Sequence, residues 1–253
     1  MKIFHKCFFA ILLFPFCSFA QSNYQPGLIV NLKGDTIRGK IDYKEWEASP
    51  KSILFKSDSL AEPQKFTVSQ VKFFNVSVGH LAAFLRYVGS ITTDNIDADH
   101  IPNGRDSSFK IDTIFLRVLQ DGPRLKLFSY TDNQKTRFFV AGNFSEQPVE
   151  LTYRMYWNTI DATDHRTTYE TAFKGQLYDI GVKDQVMSSS LKAIISKSAY
   201  TEPDILEITS TINGISESDA TKNNPTKRGQ THTLLLVLGL VLLVVIVESV
   251  RLK

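Results

Sequence analysis

The hydrophobic period of this chain changes once, near Thr171, and that change restricts the folds open to it. From residue 27 to about residue 157, apolar side chains recur at every second position, the spacing of a strand with one buried face. Ile114, Leu116 and Val118 share one side of such a segment. Leu151, Tyr153 and Met155 share another, with Thr152, Arg154 and Tyr156 facing away. Beyond Thr171 the spacing becomes three and four, in Phe173, Leu177 and Ile180, then Leu191, Ile194 and Ile195, then Ile205, Ile208 and Ile212. The pattern predicts an α+β fold: a mainly antiparallel β-sheet, wet on one side, followed by three short helices packed on its dry side. None of the three is long enough to be stable alone.

Turn residues divide the first part. Lys33-Gly34-Asp35, Gly79-His80 and Asp121-Gly122-Pro123 each separate two apolar runs, as hairpin turns do. Strands are expected at residues 28–30, 36–43, 52–56, 73–78, 84–92, 112–120, 124–130, 136–140 and 149–156, with residues 93–108 as the main loop. Thr201 is placed to cap the last helix, with Pro203 in its first turn and Asp204 three residues on. Ser188-Ser189-Ser190 is placed to start the middle one.

Both ends are apolar. Residues 1–20 have a basic start (Lys2, Lys6), an apolar centre and a Ser18-Phe19-Ala20 cleavage pattern, which reads as a secretory signal peptide; an uncleaved anchor is the alternative. Leu234 to Val247 is an unbroken apolar run of 14 residues. Extended to residues 231–250 it would reach about 30 Å as a helix, the depth of a hydrocarbon core, so one transmembrane helix is expected, with a buried core helix as the alternative. An exported amino terminus then leaves residues 21–157 (β-rich module), 158–213 (helical layer) and 214–230 (flexible polar stalk) in the periplasm. Residues 251–253 remain as a cytoplasmic tail. The expected address is a single-pass inner-membrane protein with most of its chain periplasmic, because helical spans do not cross bacterial outer membranes.

Composition narrows the chemistry. The two cysteines, Cys7 and Cys17, both fall in the signal, so a mature chain has no disulfide, thiolate nucleophile or zinc-thiolate site. Six of the eighteen Phe fall in the signal as well; the other twelve and the nine Tyr supply a core instead. Losing Lys2 and Lys6 takes the formal charge from +3 to about +1, and no basic stripe points to nucleic acid.

Residues 27–46, including Gly34-Asp35-Thr36-Ile37-Arg38-Gly39-Lys40-Ile41-Asp42-Tyr43 and Trp46, followed by Pro50 and Ile53-Leu54-Phe55-Lys56, resemble the start of an uncharacterised family of exported envelope proteins of Bacteroidetes-type gram-negative bacteria. Phe173-Lys174-Gly175-Gln176-Leu177 and the helix start at residues 200–206 resemble the tail of the same module. The resemblance implies an accessory β-rich envelope module that often precedes an outer-membrane barrel; it implies no activity and no catalytic residue. This chain departs from the pattern in having Lys183-Asp184-Gln185 near the place of an expected Asp-Cys-Pro.

Two Asp-His loops carry the most suggestive polar clusters. Asp97, Asp99 and His100, with Asp161, Asp164 and His165, could supply oxygen and imidazole ligands to a divalent metal if the loops met at one sheet edge. As isolated loops they are ordinary turn residues. Tyr43 and Trp46 could form an aromatic binding platform, or simply pack in the core. No Gly-x-Ser-x-Gly elbow or phosphate-cradling loop occurs, and Ser188 to Ser190 near Lys192 reads better as a cap than as a Ser-Lys pair. No cofactor is expected. The expected function is a membrane-anchored, non-catalytic interaction or assembly module with an envelope protein partner; an envelope hydrolase or metal-binding enzyme using the Asp-His loops is the alternative.

Overall fold

The computed structural model describes residues 23–96, 100–142, 145–158 and 166–215. The segments expected to be a signal peptide (1–20), nearly all of the stalk (214–230), a transmembrane helix (231–250) and a cytoplasmic tail (251–253) lie outside the described residues. Among the described residues no helix is long and apolar enough to cross a membrane.

Ten strands form one antiparallel sheet: β1 (Tyr24–Asn31), β2 (Thr36–Asp42), β3 (Ser52–Lys56), β4 (Gln64–Thr67), β5 (Val71–Ser77), β6 (Leu81–Thr92), β7 (Phe109–Asp121), β8 (Leu125–Thr131), β9 (Thr136–Gly142) and β10 (Ser145–Leu151). Their order is β10-β9-β8-β7-β6-β5-β1-β2-β3-β4, so all neighbours but β1 and β5 are consecutive in the chain. β11 (Arg154–Trp157) and β12 (Thr167–Glu170) pair separately, and α1 (Ala172–Lys183), α2 (Ser189–Lys197) and α3 (Glu202–Asn213) follow. The Lys33-Gly34-Asp35 turn joins β1 to β2 with Gly34 at φ 95°, a backbone state open to glycine at no steric cost.

The sheet is not wet on one side, which corrects the expectation from alternation. Four consecutive residues of β5 (Phe73–Val76), four of β8 (Leu127–Tyr130) and five of β9 (Arg137–Ala141) are buried, so both faces are covered there. On one face, Leu125, Leu127, Phe138, Val140 and Leu151 pack against the three helices. On the opposite face, Tyr87, Ile91, Ile114, Leu116, Phe128 and Phe139 form a second cluster. Among the described residues no helix covers it; the sheet covers itself. Thr92 at the end of β6 meets Glu150 of β10, with its Oγ1 donating at 2.6 Å and its N–H at 2.9 Å. These strands stand four places apart, about 19 Å in a flat sheet, so the contact requires the long β6–β7 hairpin to curl over that face.

Charged groups line the inside of this closure. Arg137, fully buried, donates Nε to the Thr92 carbonyl at 2.8 Å and pairs with Asp132 at 3.0 Å. Lys135 and Asp94 form a buried ion pair with both carboxylate oxygens 2.8 Å from Nζ, which also donates to the Tyr153 carbonyl at 3.1 Å.

The helices start as the sequence predicts. Ser188 Oγ accepts from Leu191 N at 3.1 Å, and Thr201 caps α3 with Pro203 in its first turn. Gly214 ends α3 in the left-handed conformation. Asn213 ties α3 to the β7–β8 turn: Oδ1 accepts from the N–H groups of Arg124 and Leu125, while Nδ2 donates to Gln120 Oε1 and to the Leu125 carbonyl.

Three boundaries differ from expectation. Residues 149–156 are not one strand. The chain breaks at Thr152 and Tyr153, because Gln176 Oε1 takes the Thr152 N–H at 2.8 Å, the Phe173 N–H takes its carbonyl at 2.9 Å, and Tyr153 stacks on Tyr200. The supposed helical layer 158–213 begins with a strand, β12, held by pairing to β11. Finally β4 is short and half exposed, carrying only Phe66 into the core, too little alternation to be read.

Candidate functional site

A trough of about 400 Å³ opens on the helix-bearing face, in the gap between α3 and the segment joining β2 to β3. Its floor is a single cross-strand row. Phe84 faces Arg117, Arg117 faces Ser129 and Ser129 faces Phe138, on β6, β7, β8 and β9 in turn. Three strand spacings make that row about 14 Å long.

An aromatic wall stands at each end. Trp46 lies edge-on to Phe84 with centroids 5.5 Å apart, and Tyr200 lies edge-on to Phe138 at 5.1 Å. Both walls are held in place by the backbone. Ser49 N donates to the Thr131 carbonyl at 2.8 Å and Thr131 N to Ser49 Oγ at 3.1 Å, which pins the β2–β3 segment across the sheet. The Tyr200 hydroxyl donates to the Leu151 carbonyl at 2.7 Å and accepts from Phe138 N at 3.0 Å; burial raises its pKa far above the usual phenol range.

Arg117 is the chemical centre of the floor. It is partly buried, and among the described residues its guanidinium makes no hydrogen bond or ion pair. Its charge is felt nearby, since His80 is held below the ordinary imidazole value by burial first and by Arg117 second. A half-buried cation normally finds a carboxylate or carbonyl, so an unpaired one between two aromatic walls is a vacant anion partner. Ser129, Thr131, Thr136 and Thr201 add hydroxyls. Glu47 and Glu202, one from each side, add exposed negative charge. The trough therefore suits one carboxylate with apolar flanks better than a multiply charged phosphate.

Of the two residues proposed as an aromatic platform, Trp46 lines this trough while Tyr43 does not. Both are partly buried and pack on the core, with Tyr43 edge-on to Trp46 at 5.1 Å and Trp46 edge-on to Phe74 at 6.0 Å. Trp46 is thus a wall anchored in the core rather than an exposed plate.

The two Asp-His loops are neighbours at their stems. Trp157 N donates to the Pro102 carbonyl at 2.9 Å and Gly104 N to the Trp157 carbonyl at 2.9 Å, while Arg105 forks onto Glu170 at 2.7 and 2.9 Å. His100 is exposed. Asp97, Asp99, Asp161, Asp164 and His165 lie outside the described residues. No group of three or more metal-ligating side chains occurs among the described ones. Ser188 acts as the α2 cap.

Arg117 was not singled out from the sequence, because alternation assigns Ile114, Leu116 and Val118 to the buried side and leaves Arg117 to solvent. The overlooked signal was its own stripe, in which Phe115 and Leu119 flank it. An isolated cation between apolar residues of one face is the mark of a floor residue. Comparison of the chain with protein-family models, with curated proteins and with solved structures returns no match.

Proposed function

We propose that this protein is a membrane-anchored, non-catalytic interaction module of the cell envelope that holds a carboxylate-bearing segment of a partner protein in the Arg117 trough. The observation that carries the reading is the unpaired Arg117 guanidinium between Trp46–Phe84 and Tyr200–Phe138. Rigid aromatic walls supply contact area at little entropic cost, and the cation supplies orientation. Export, periplasmic placement and the inner-membrane anchor rest on the two apolar termini. Tethering would raise the effective concentration of the trough for partners on the same membrane.

Crosslinking in intact cells tests the proposal. A photoreactive group at Glu47, on the rim, should capture one reproducible envelope protein, and Arg117→Met should abolish the capture while leaving the fold intact. Undiminished capture by the Met variant would refute the role of the trough.

A further inference from the structure

Among the described residues, the β6–β7 hairpin outruns its neighbours and leaves one strand edge without a strand partner. Residues 109–116 of β7 pair with β6 alone, because the β7–β8 ladder begins at Arg117 and Ser129. Thr93 N donates to the Ser108 carbonyl at 3.1 Å, which sets the phase of the ladder. By antiparallel alternation Phe109, Ile111, Thr113 and Phe115 then turn their N–H and C=O groups away from β6. Two contacts agree with that phase. Thr92, opposite Phe109, spends its outward N–H on Glu150 and its carbonyl on Arg137. The outward N–H of Thr113 folds back onto Asp112 Oδ1 at 2.8 Å. At Thr92 the β6 edge is therefore closed by side chains, whereas the β7 edge faces a groove of about 520 Å³ whose other walls are the β8–β9 turn and the Ser49–Lys51 segment. Beside that edge the outer face of the hairpin exposes Phe109 (66%), Ile111 (69%) and Val88 (47%).

We propose that the β7 edge docks antiparallel against the same edge of a second copy of this chain, with the two-fold axis at Ile111. This goes beyond the trough reading and does not depend on it. Outward main-chain groups must meet outward groups, so the axis can lie at residues 109 to 113, and the charges choose among these registers. An axis at Lys110 or at Asp112 sets like charges opposite each other. An axis at Phe109 sets Lys110 opposite Ser108, and one at Thr113 sets Lys110 and Asp112 opposite Leu116 and Ile114. Only the axis at Ile111 places Lys110 of each copy opposite Asp112 of the other, in the non-hydrogen-bonded pairs where side chains approach most closely. In the free chain these two residues pair with each other at 2.9 Å, so docking exchanges partners and leaves no charge unpaired. The same register sets Ile111 against Ile111 and Phe109 against Thr113, which makes one apolar stripe of the two exposed patches. It also gives the Thr113 N–H a main-chain acceptor.

The test uses the full chain in its membrane, with Cys7 and Cys17 replaced by Ser. At the axis the two Ile111 Cα atoms stand about 5.5 Å apart, within disulfide range. Ile111→Cys should therefore give a covalent homodimer on mild oxidation. Thr113→Cys alone should not, since two Thr113 residues lie about 13 Å or more apart along the edge. Co-expressed Phe109→Cys and Thr113→Cys chains should link to each other. Lys110→Asp in the Ile111→Cys chain should lower dimer yield by on the order of tenfold, and adding Asp112→Lys should restore it. A monomeric Ile111→Cys chain, a link to a different protein, or a charge reversal without effect would each overturn the proposal.

Discussion

Replacing Asp94 by Asn should destabilise the domain by about 3–5 kcal/mol, because it strands a charge at the closure of the sheet. Lys135 Nζ lies 2.8 Å from both Asp94 oxygens, and each side chain is only 1% exposed. Asn keeps the shape and removes the counter-charge, so the lost quantity is electrostatic rather than steric. For a domain of this size, with a urea dependence of about 2–3 kcal/mol per molar, the unfolding midpoint should fall by about 1–2 M. The fluorescence of Trp46 and Trp157 reports the transition. Removing both charges, Asp94→Leu with Lys135→Met, should recover most of the loss, since a buried pair is worth little more than the apolar groups that replace it.

Rising pH should also relieve the Asn variant. Burial is the main cause holding Lys135 below its ordinary value, and losing Asp94 removes the strongest opposing influence. The unfolded chain then binds more protons than the folded one between the lowered folded pKa and about 10.5, so stability climbs with pH across that window. A cost for Asp94→Asn below about 1 kcal/mol, or a double variant as unstable as the single one, would refute the reasoning.

Asn213→Ala should cost about 3 kcal/mol in the same assay, since it removes four hydrogen bonds and leaves the buried Leu125 N–H without its acceptor. Tyr200→Phe should cost about 1–3 kcal/mol by orphaning the Phe138 N–H and the Leu151 carbonyl, with little change in shape. Arg117→Met should leave stability within about 0.5 kcal/mol and raise the His80 pKa toward the ordinary imidazole value, read from its ring proton shifts. His80 itself, with a lowered folded pKa, contributes stability that is lost as pH falls through the imidazole range. Arg117→Met should shrink that loss.

Local chemistry was readable along the chain. Gly34 at φ 95°, the Ser188 and Thr201 caps and the Phe173, Leu177, Ile180 stripe all depend on neighbours within a few residues, and each stands where its residues imply. The antiparallel sheet followed by short helices followed from the change of period. The candidate site was legible only in Trp46, and there as a platform rather than as a wall.

What tertiary structure alone decided is which surfaces meet. Alternation says that one side of a strand is apolar; it cannot say whether the other side will face water, a helix or the curled end of its own hairpin. Thr92 reaches Glu150, 58 residues away in sequence, only because the sheet bends. The same distant pairing puts Arg117 in a floor between Phe84 and Phe138 and leaves residues 109–116 of β7 without a second strand partner among the described residues. Turns, caps and helical stripes are determined by contacts a few residues apart, and so they are written in the sequence. Strand order, curvature and the trough depend on contacts between residues tens of positions apart, whose side chains acquire a common surface only when the whole sheet has formed.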